Sequence, residues 1–268
     1  MSPGPLSLPA SLLLITAIGC ASPEPVNPSF PLSIDHAYAA IAEMSSHAVR
    51  LQRPLLIIGG YCDPGVSTLF LKSQFKKFIG GDRIVTANIG FYSNFEDCRR
   101  RVIEAVDRAF PSDDPQFTTE VDVIGASLGG LAARYAAAPS RHADHPRRLH
   151  IARLFSISSP HSGAVLTKTA TLNSLHTDMH PGSPFLAYLA AADKDARYEL
   201  FPYVRLGDAL VGERYAAPPG QNPLWLPIPP LEGGHAGAWH DPRILADIAR
   251  RLRNETPFTT MPAAPLPK

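Results

Sequence analysis

The chain has almost no charge of either sign to spare. Its 25 Lys and Arg against 24 Asp and Glu leave a formal net charge of +1 over 268 residues. That balance lacks the basic footprint on which nucleic-acid binding depends, so no nucleic-acid partner is expected. Beyond the N-terminus there is no apolar run of about 18 residues, which argues against an internal membrane span. No His, Cys, Asp or Glu cluster has zinc or calcium ligand spacing. His142 and His145 lie among Arg141, Arg147 and Arg148 and read as a solvated basic loop. No Gly-rich run ends in Gly-Lys-Ser/Thr, so a phosphate-cradling loop is not expected either. No internal repeat is evident. The length suits one globular domain with a sizeable core, and nothing calls for a cofactor or metal.

Cysteine is scarce, with only Cys20, Cys62 and Cys98. Residues 6–19 are mostly apolar and lead into Ala17-Ile18-Gly19-Cys20. This resembles a secretory hydrophobic region followed by a bacterial lipobox, with Cys20 as the lipidated residue. Two features depart from that pattern: Ala17 stands where Leu is usual, and no Lys or Arg precedes the apolar run. The expectation is an exported, membrane-tethered lipoprotein at the periplasmic face or cell surface, with a cytoplasmic protein as the alternative. Residues 1–20 are then a leader. Residues 21–33, with Pro23, Pro25, Pro28 and Pro31, read as a semi-extended linker. Residues 256–268, with four more prolines, read as a disordered tail. Cys62 and Cys98 are expected to follow strands at one sheet edge, so in an oxidising compartment they pair or else stay as free buried thiols.

Between those ends, strands and helices alternate. Residues 34–51 read as an amphipathic helix, 54–58 as a buried strand, 68–78 as a helix and 84–89 as a strand. A helix over 95–110 carries a charged face, and strands follow at 151–158, 203–206 and, weakened by prolines, 224–228. Ile244, Leu245, Ile248 and Leu252 share a face of a closing helix over 242–253. The pattern implies an α/β fold with a mostly parallel sheet covered on both faces. Ligands of such sheets bind beyond the carboxyl ends of the strands.

The densest chemical signal is Val121–Gly130, VDVIGASLGG. A β-branched run enters Gly-x-Ser-x-Gly, and a helical pattern follows. A serine alcohol is a poor nucleophile unless a base takes its proton and it is held in attack geometry. A tight strand-to-helix turn exposes Ser127 above the sheet, and Gly125 and Gly129 let strand and helix approach. The helix start directs free N–H groups at a developing oxyanion, and Leu128 N–H is one such donor.

Other segments complete a resemblance to the α/β-hydrolase family, on its bacterial lipase and esterase side, over residues 51–253. Ser158-Ser159-Pro160-His161-Ser162-Gly163 is similar to the TPHxG turn of bacterial lipases, and Pro181–Leu186 to their PGSxFL segment. The stretch from His235 to Pro242 resembles their histidine loop. The resemblance implies a triad in the order Ser, acid, His. Asp208, in a D-x-x-V segment, is the implied acid, with Asp193 and Asp195 as rivals. His235 is the implied base, with His240 as rival, while His161 precedes the acid and reads as a structural turn residue. The implied second oxyanion donor is Tyr61 N–H, although Gly59-Gly60-Tyr61 stands where the family has His-Gly. The hydrolase domain spans 34–255, with residues 164–200 either a lid or plain scaffold helices. The implied activity is hydrolysis of an ester or lipid through an acyl-enzyme. Acyltransferase, thioesterase and non-catalytic lipid- or partner-binding readings are the alternatives.

Overall fold

The computed structural model describes residues 25–80, 83–141, 146–168, 173–229 and 232–267. Cys20 with its leader, and His142 and His145, lie outside the described residues. In chain order the elements are α1 (Ile34–Ser46), β1 (Val49–Arg50), β2 (Leu55–Ile58), α2 (Val66–Phe78), β3 (Ile79–Gly80), β4 (Ile84–Ala87), α3 (Phe95–Ala109), β5 (Val121–Ala126) and α4 (Leu128–Ala137). They continue with β6 (Ile151–Ile157), α5 (Ser174–Asp178), α6 (Pro184–Ala192), β7 (Glu199–Arg205), β8 (Leu224–Leu226), α7 (Gly234–Ala238) and α8 (Pro242–Leu252).

Six strands form one sheet in the order β4-β2-β5-β6-β7-β8, and every pairing is parallel. β2 and β5 are buried along their whole length. Their sequences therefore run apolar instead of alternating. Asp122 is the exception in β5. Arg153 faces it across the β5–β6 register and binds its carboxylate at 2.6 Å, so the charge is buried only as a pair. Ile57, Ile124, Phe155 and Tyr203 pack on one face with side chains of α1, α2 and α8. Ile58, Val123 and Leu154 pack on the other with α3, α4 and α6.

Several boundaries differ from the sequence reading. The first helix stops at Ser46, because the chain then extends into β1, which pairs with β3. β7 begins at Glu199 and runs through Pro202. β8 pairs only with Tyr203–Arg205, so Pro202 has no ladder partner to lose on that side.

The proline-rich ends are docked, which corrects both the linker and the tail expectations. Asn27, Ser29, Phe30 and Leu32 are buried, and so are Thr259 and Ala263. Asn27 Nδ2 donates to Trp225 O (2.7 Å), and Trp225 Nε1 donates to Ala264 O and Pro265 O (3.1 and 3.0 Å). The two ends also join each other, through Thr260 N to Ser29 O and Ala264 N to Ser29 Oγ (both 2.9 Å). Asp247 is wholly buried and needs donors. It takes them from Tyr203 Oη, Arg251 Nε and the tail's Phe258 and Thr259.

Of the two alternatives for the cysteines, the structure shows free thiols, one of them exposed. Cys98 is buried in α3 among Leu56, Val102 and Val123, Cys62 is exposed, and both thiols are free. Burial pushes the Cys98 thiol up to about 12.

Candidate active site

Ser127 sits between β5 and α4 with φ 51° and ψ −121°, outside the ordinary regions for a residue with a side chain. Such strain costs on the order of 1–3 kcal/mol and persists only where the surroundings enforce it. Here they do. Ser127 N donates to Ile157 O (2.8 Å) and Gly130 N to Ser127 O (3.2 Å). A Cβ on Gly125 would stand 2.5 Å from Gly130 Cα, and one on Gly129 would stand 2.5 Å from Ile58 O. The turn can close this tightly only with glycine at both positions.

Ser127 Oγ lies 3.1 Å from His235 Nε2, and His235 Nδ1 lies 3.0 and 2.9 Å from the two oxygens of Asp208. A proton on Nδ1 serves the carboxylate, which leaves Nε2 to accept from the serine hydroxyl. Asp208 follows β7 and is 2 % exposed. Burial alone would raise its carboxyl. The His235 hydrogen bond and charge, with Val211 N–H and the Ser158 hydroxyl, bring it below the usual carboxylate value instead. Val211 N and Leu210 N both donate to Asp208 Oδ1 (2.9 and 3.1 Å), which gives the D-x-x-V spacing its physical meaning. His235 is on α7. A Cβ on the preceding Gly234 would stand 2.6 Å from Gly207 O, so the loops that carry His235 and Asp208 touch through backbone.

No protein-family model and no curated protein matches the chain. Solved structures do. The product of the lin2722 gene from Listeria innocua superposes with a TM-score of 0.51 at 15% identity, over 76% of this chain and 95% of that one. The phospholipase PlaB from Legionella pneumophila superposes with a TM-score of 0.49 at 14% identity, over 75% of this chain and 62% of that one. The chain has an α/β-hydrolase fold.

Within this α/β-hydrolase fold, the loop after β2 brings Gly60 against the serine. A Cβ there would stand 3.1 Å from Ser127 Cβ. Neither Tyr61 N nor Leu128 N donates to a carbonyl among the described residues. Leu128 opens α4, where an intrahelical acceptor is lacking in any case. Cys62 N donates to Gly90 O (2.9 Å), and Asp63 Oδ1 accepts from the N–H groups of Gly65 and Val66 (2.8 and 2.7 Å). A cleft of about 450 Å³ opens above Ser127. Its walls are mostly apolar, with Val66, Leu166, Met179, Leu210, Val211 and Trp239 among them.

The rival residues have other surroundings. His240 lines the cleft and packs on Phe70 with ring centroids 4.1 Å apart. Burial and Arg205 lower its pKa. Asp193 pairs with Arg134 at 2.5 Å, and Asp195 lies in the turn after α6. His161 is buried, bonded to Ser156 Oγ (2.7 Å) and Arg134 Nη1 (3.1 Å). Burial first, and Arg134 second, hold its pKa well below 6.5.

Two supports escaped sequence reasoning. Arg205 ends β7 and is 1 % exposed. It binds Asp241 (2.7 Å), Glu232 (2.6 Å) and Gly233 O (3.4 Å), joining β7, which leads to Asp208, to the start of α7, which carries His235. Arg243 adds a second contact to Asp241 at 2.7 Å. The available signal was a charge inside the apolar run Tyr203-Val204-Arg205-Leu206. In the 164–200 insertion, α6 is core, with Phe185 stacked on Phe95 at 4.2 Å. Asn173 and α5 instead face Tyr61. Asn173 carries only the signal of a helix cap.

Proposed function

We propose that the protein is a serine hydrolase of carboxylic esters, of lipase or esterase type. The observation that carries this reading is the unbroken hydrogen-bond chain from Ser127 through His235 to Asp208 beneath an apolar cleft. In this reading Ser127 Oγ attacks the ester carbonyl while His235 Nε2 takes its proton. Asp208 holds the required tautomer and stabilises the imidazolium. The Leu128 and Tyr61 amides receive the oxyanion, and one such donor is worth about 10²–10³ in rate. His235 then protonates the leaving alcohol. In the second half a water loses its proton to His235 and attacks the acyl carbon, and His235 returns that proton to Ser127 Oγ as its bond to the acyl carbon breaks and the acid departs.

The apolar walls favour an apolar acyl group over a charged one. We also infer that residues 34–255 form the catalytic unit and that a lipid on Cys20 tethers it to a membrane. The chain is docked on the fold from Asn27 onward, so such a lipid would hold the domain close to the bilayer. Among the described residues no helix is long and apolar enough to cross a membrane.

The test is hydrolysis of p-nitrophenyl esters from short to long acyl chains by the protein lacking residues 1–20. Turnover is expected to fall by about 10⁶-fold in Ser127→Ala. Equal turnover in that variant would refute the mechanism. Transfer of the acyl group to an added alcohol in preference to water would move the reading to an acyltransferase.

A further inference from the structure

The oxyanion loop begins with Gly59 and Gly60, two residues whose backbone is conformationally permissive and which bring no side chain to fix it. Restraint must come from elsewhere, because a displacement of about 1 Å at a reacting centre costs about 10²-fold in rate. Gly59 N and Cys62 N tie the backbone on either side to Ala87 O and Gly90 O, and the Tyr61 side chain provides a further attachment between them. Its hydroxyl accepts from Asn173 Nδ2 at 3.0 Å, and its ring lies 5.1 Å from that of His176. We infer that Asn173 is a positioning residue: its amide, bonded to the Tyr61 hydroxyl, holds the Tyr61 backbone N–H toward the Ser127 site. This inference rests on the serine hydrolase reading and on Tyr61 N–H as an oxyanion donor.

The anchor is itself fixed. Asn173 Oδ1 accepts from His176 N (3.2 Å) and caps α5. Ser174 Oγ donates to Ser93 O (2.6 Å), and Ala164 N donates to Met179 O (3.0 Å). The segment is thus braced internally and tied to the loop before α3, and Asn173 Nδ2 is left to bond the Tyr61 hydroxyl. The two ends of the Asn173 amide therefore have separable tasks: Oδ1 caps a helix, and Nδ2 latches the oxyanion loop.

That separation makes the test specific. Asn173→Ser keeps a capping oxygen but is too short to reach Tyr61. Tyr61→Phe keeps the backbone N–H and removes only the hydroxyl. Asn173→Asp retains a cap and accepts from the tyrosine hydroxyl, which restores the latch with its polarity reversed. With a p-nitrophenyl ester, Asn173→Ser and Tyr61→Phe are each expected to lower kcat about tenfold with KM within about twofold. Labelling of Ser127 by a fluorophosphonate should slow to the same degree. The double variant should lose no more than either single one, since both remove one bond. Asn173→Asp should stay within about twofold of the parent protein, and all melting temperatures should lie within about 5 °C of it.

Unchanged kcat in both single variants, additive losses, a rise in KM in place of the fall in kcat, or losses that track melting temperature would each overturn the latch. If the parent protein turns over esters through Ser127 while these variants behave like it, the latch alone fails. If the parent protein shows neither Ser127-dependent turnover nor labelling, the latch falls together with the hydrolase reading.

Discussion

The two sides of the cleft are held by opposite kinds of chemistry. On the His235 side the anchors are charges: buried Arg205 and Arg243 hold buried Asp241, and Arg205 also reaches the exposed Glu232. On the Tyr61 side no ion pair stands among the described residues: the anchors are a Tyr61 hydroxyl, an Asn173 amide, backbone groups and the Asp63 carboxylate, which accepts only from N–H and hydroxyl groups. A buried ion pair is costly to break, about 3–5 kcal/mol when one partner is removed. A neutral hydrogen bond at a half-exposed position contributes about 0.5–1.5 kcal/mol. The fold therefore commits its strong, long-range restraint to the histidine loop and leaves the oxyanion loop more adjustable.

The largest expected effect separates the two histidines of the base loop. His235→Ala is expected to lower kcat by about 10⁶-fold, and Asp208→Asn by about 10⁴-fold. His240→Ala, which removes only a ring packed on Phe70, should cost less than about tenfold. Steady-state kinetics on one ester compares all three, and a larger loss in His240→Ala would exchange their roles.

The next effect tests the charged side itself. Arg205→Met removes one of the two arginines on buried Asp241, which keeps Arg243, and should lower unfolding free energy by about 1.5–3 kcal/mol, read from urea denaturation. Arg205→Lys should recover part of that loss. The latch variants of the Tyr61 side should cost no more than about 0.5–1.5 kcal/mol of stability while lowering kcat about tenfold. A reversal, with the arginine variant stable and the Asn173 variant unfolded, would break the comparison.

A smaller contrast concerns the thiols of the protein lacking residues 1–20. Cys62 lines the cleft and should react with a thiol reagent in the native state. Cys98, with its thiol near 12, should react only after unfolding. The smallest effect concerns the scaffold beneath Pro160. His161 stays neutral in the fold, whereas an unfolded histidine takes up a proton below about pH 6.5. The unfolded state then binds more protons, so this contribution to stability is full above pH 6.5 and lost as pH falls. The melting temperature should decline on acidification, with a shallower slope in His161→Gln.

Much of this was legible in the sequence because its signals are local. Ser127 is marked by glycines two residues away on each side, and Asp208 by the valine whose N–H it accepts. His235 is marked by its distance to the proline that opens α8. The structure brings these three together across the ends of β5, β7 and α7. Arg205 and Asn173 act through partners far along the chain, and no short pattern encodes such pairing. The proline-rich ends were misread for the same reason. Proline composition reports local backbone preference, whereas docking there is driven by Trp225 and Asp247, which seek partners in distant segments. The choice between pairing and free thiols for Cys62 and Cys98 was not legible, because strand-end placement does not say which way a side chain faces, and Cys98 faces the core.

The most direct measurement is intact mass after treatment with a fluorophosphonate, with the modified residue located by peptide mapping. The account predicts one adduct, on Ser127, formed at a rate that collapses in His235→Ala. An adduct on another residue, or none while an ester is still hydrolysed, would contradict it.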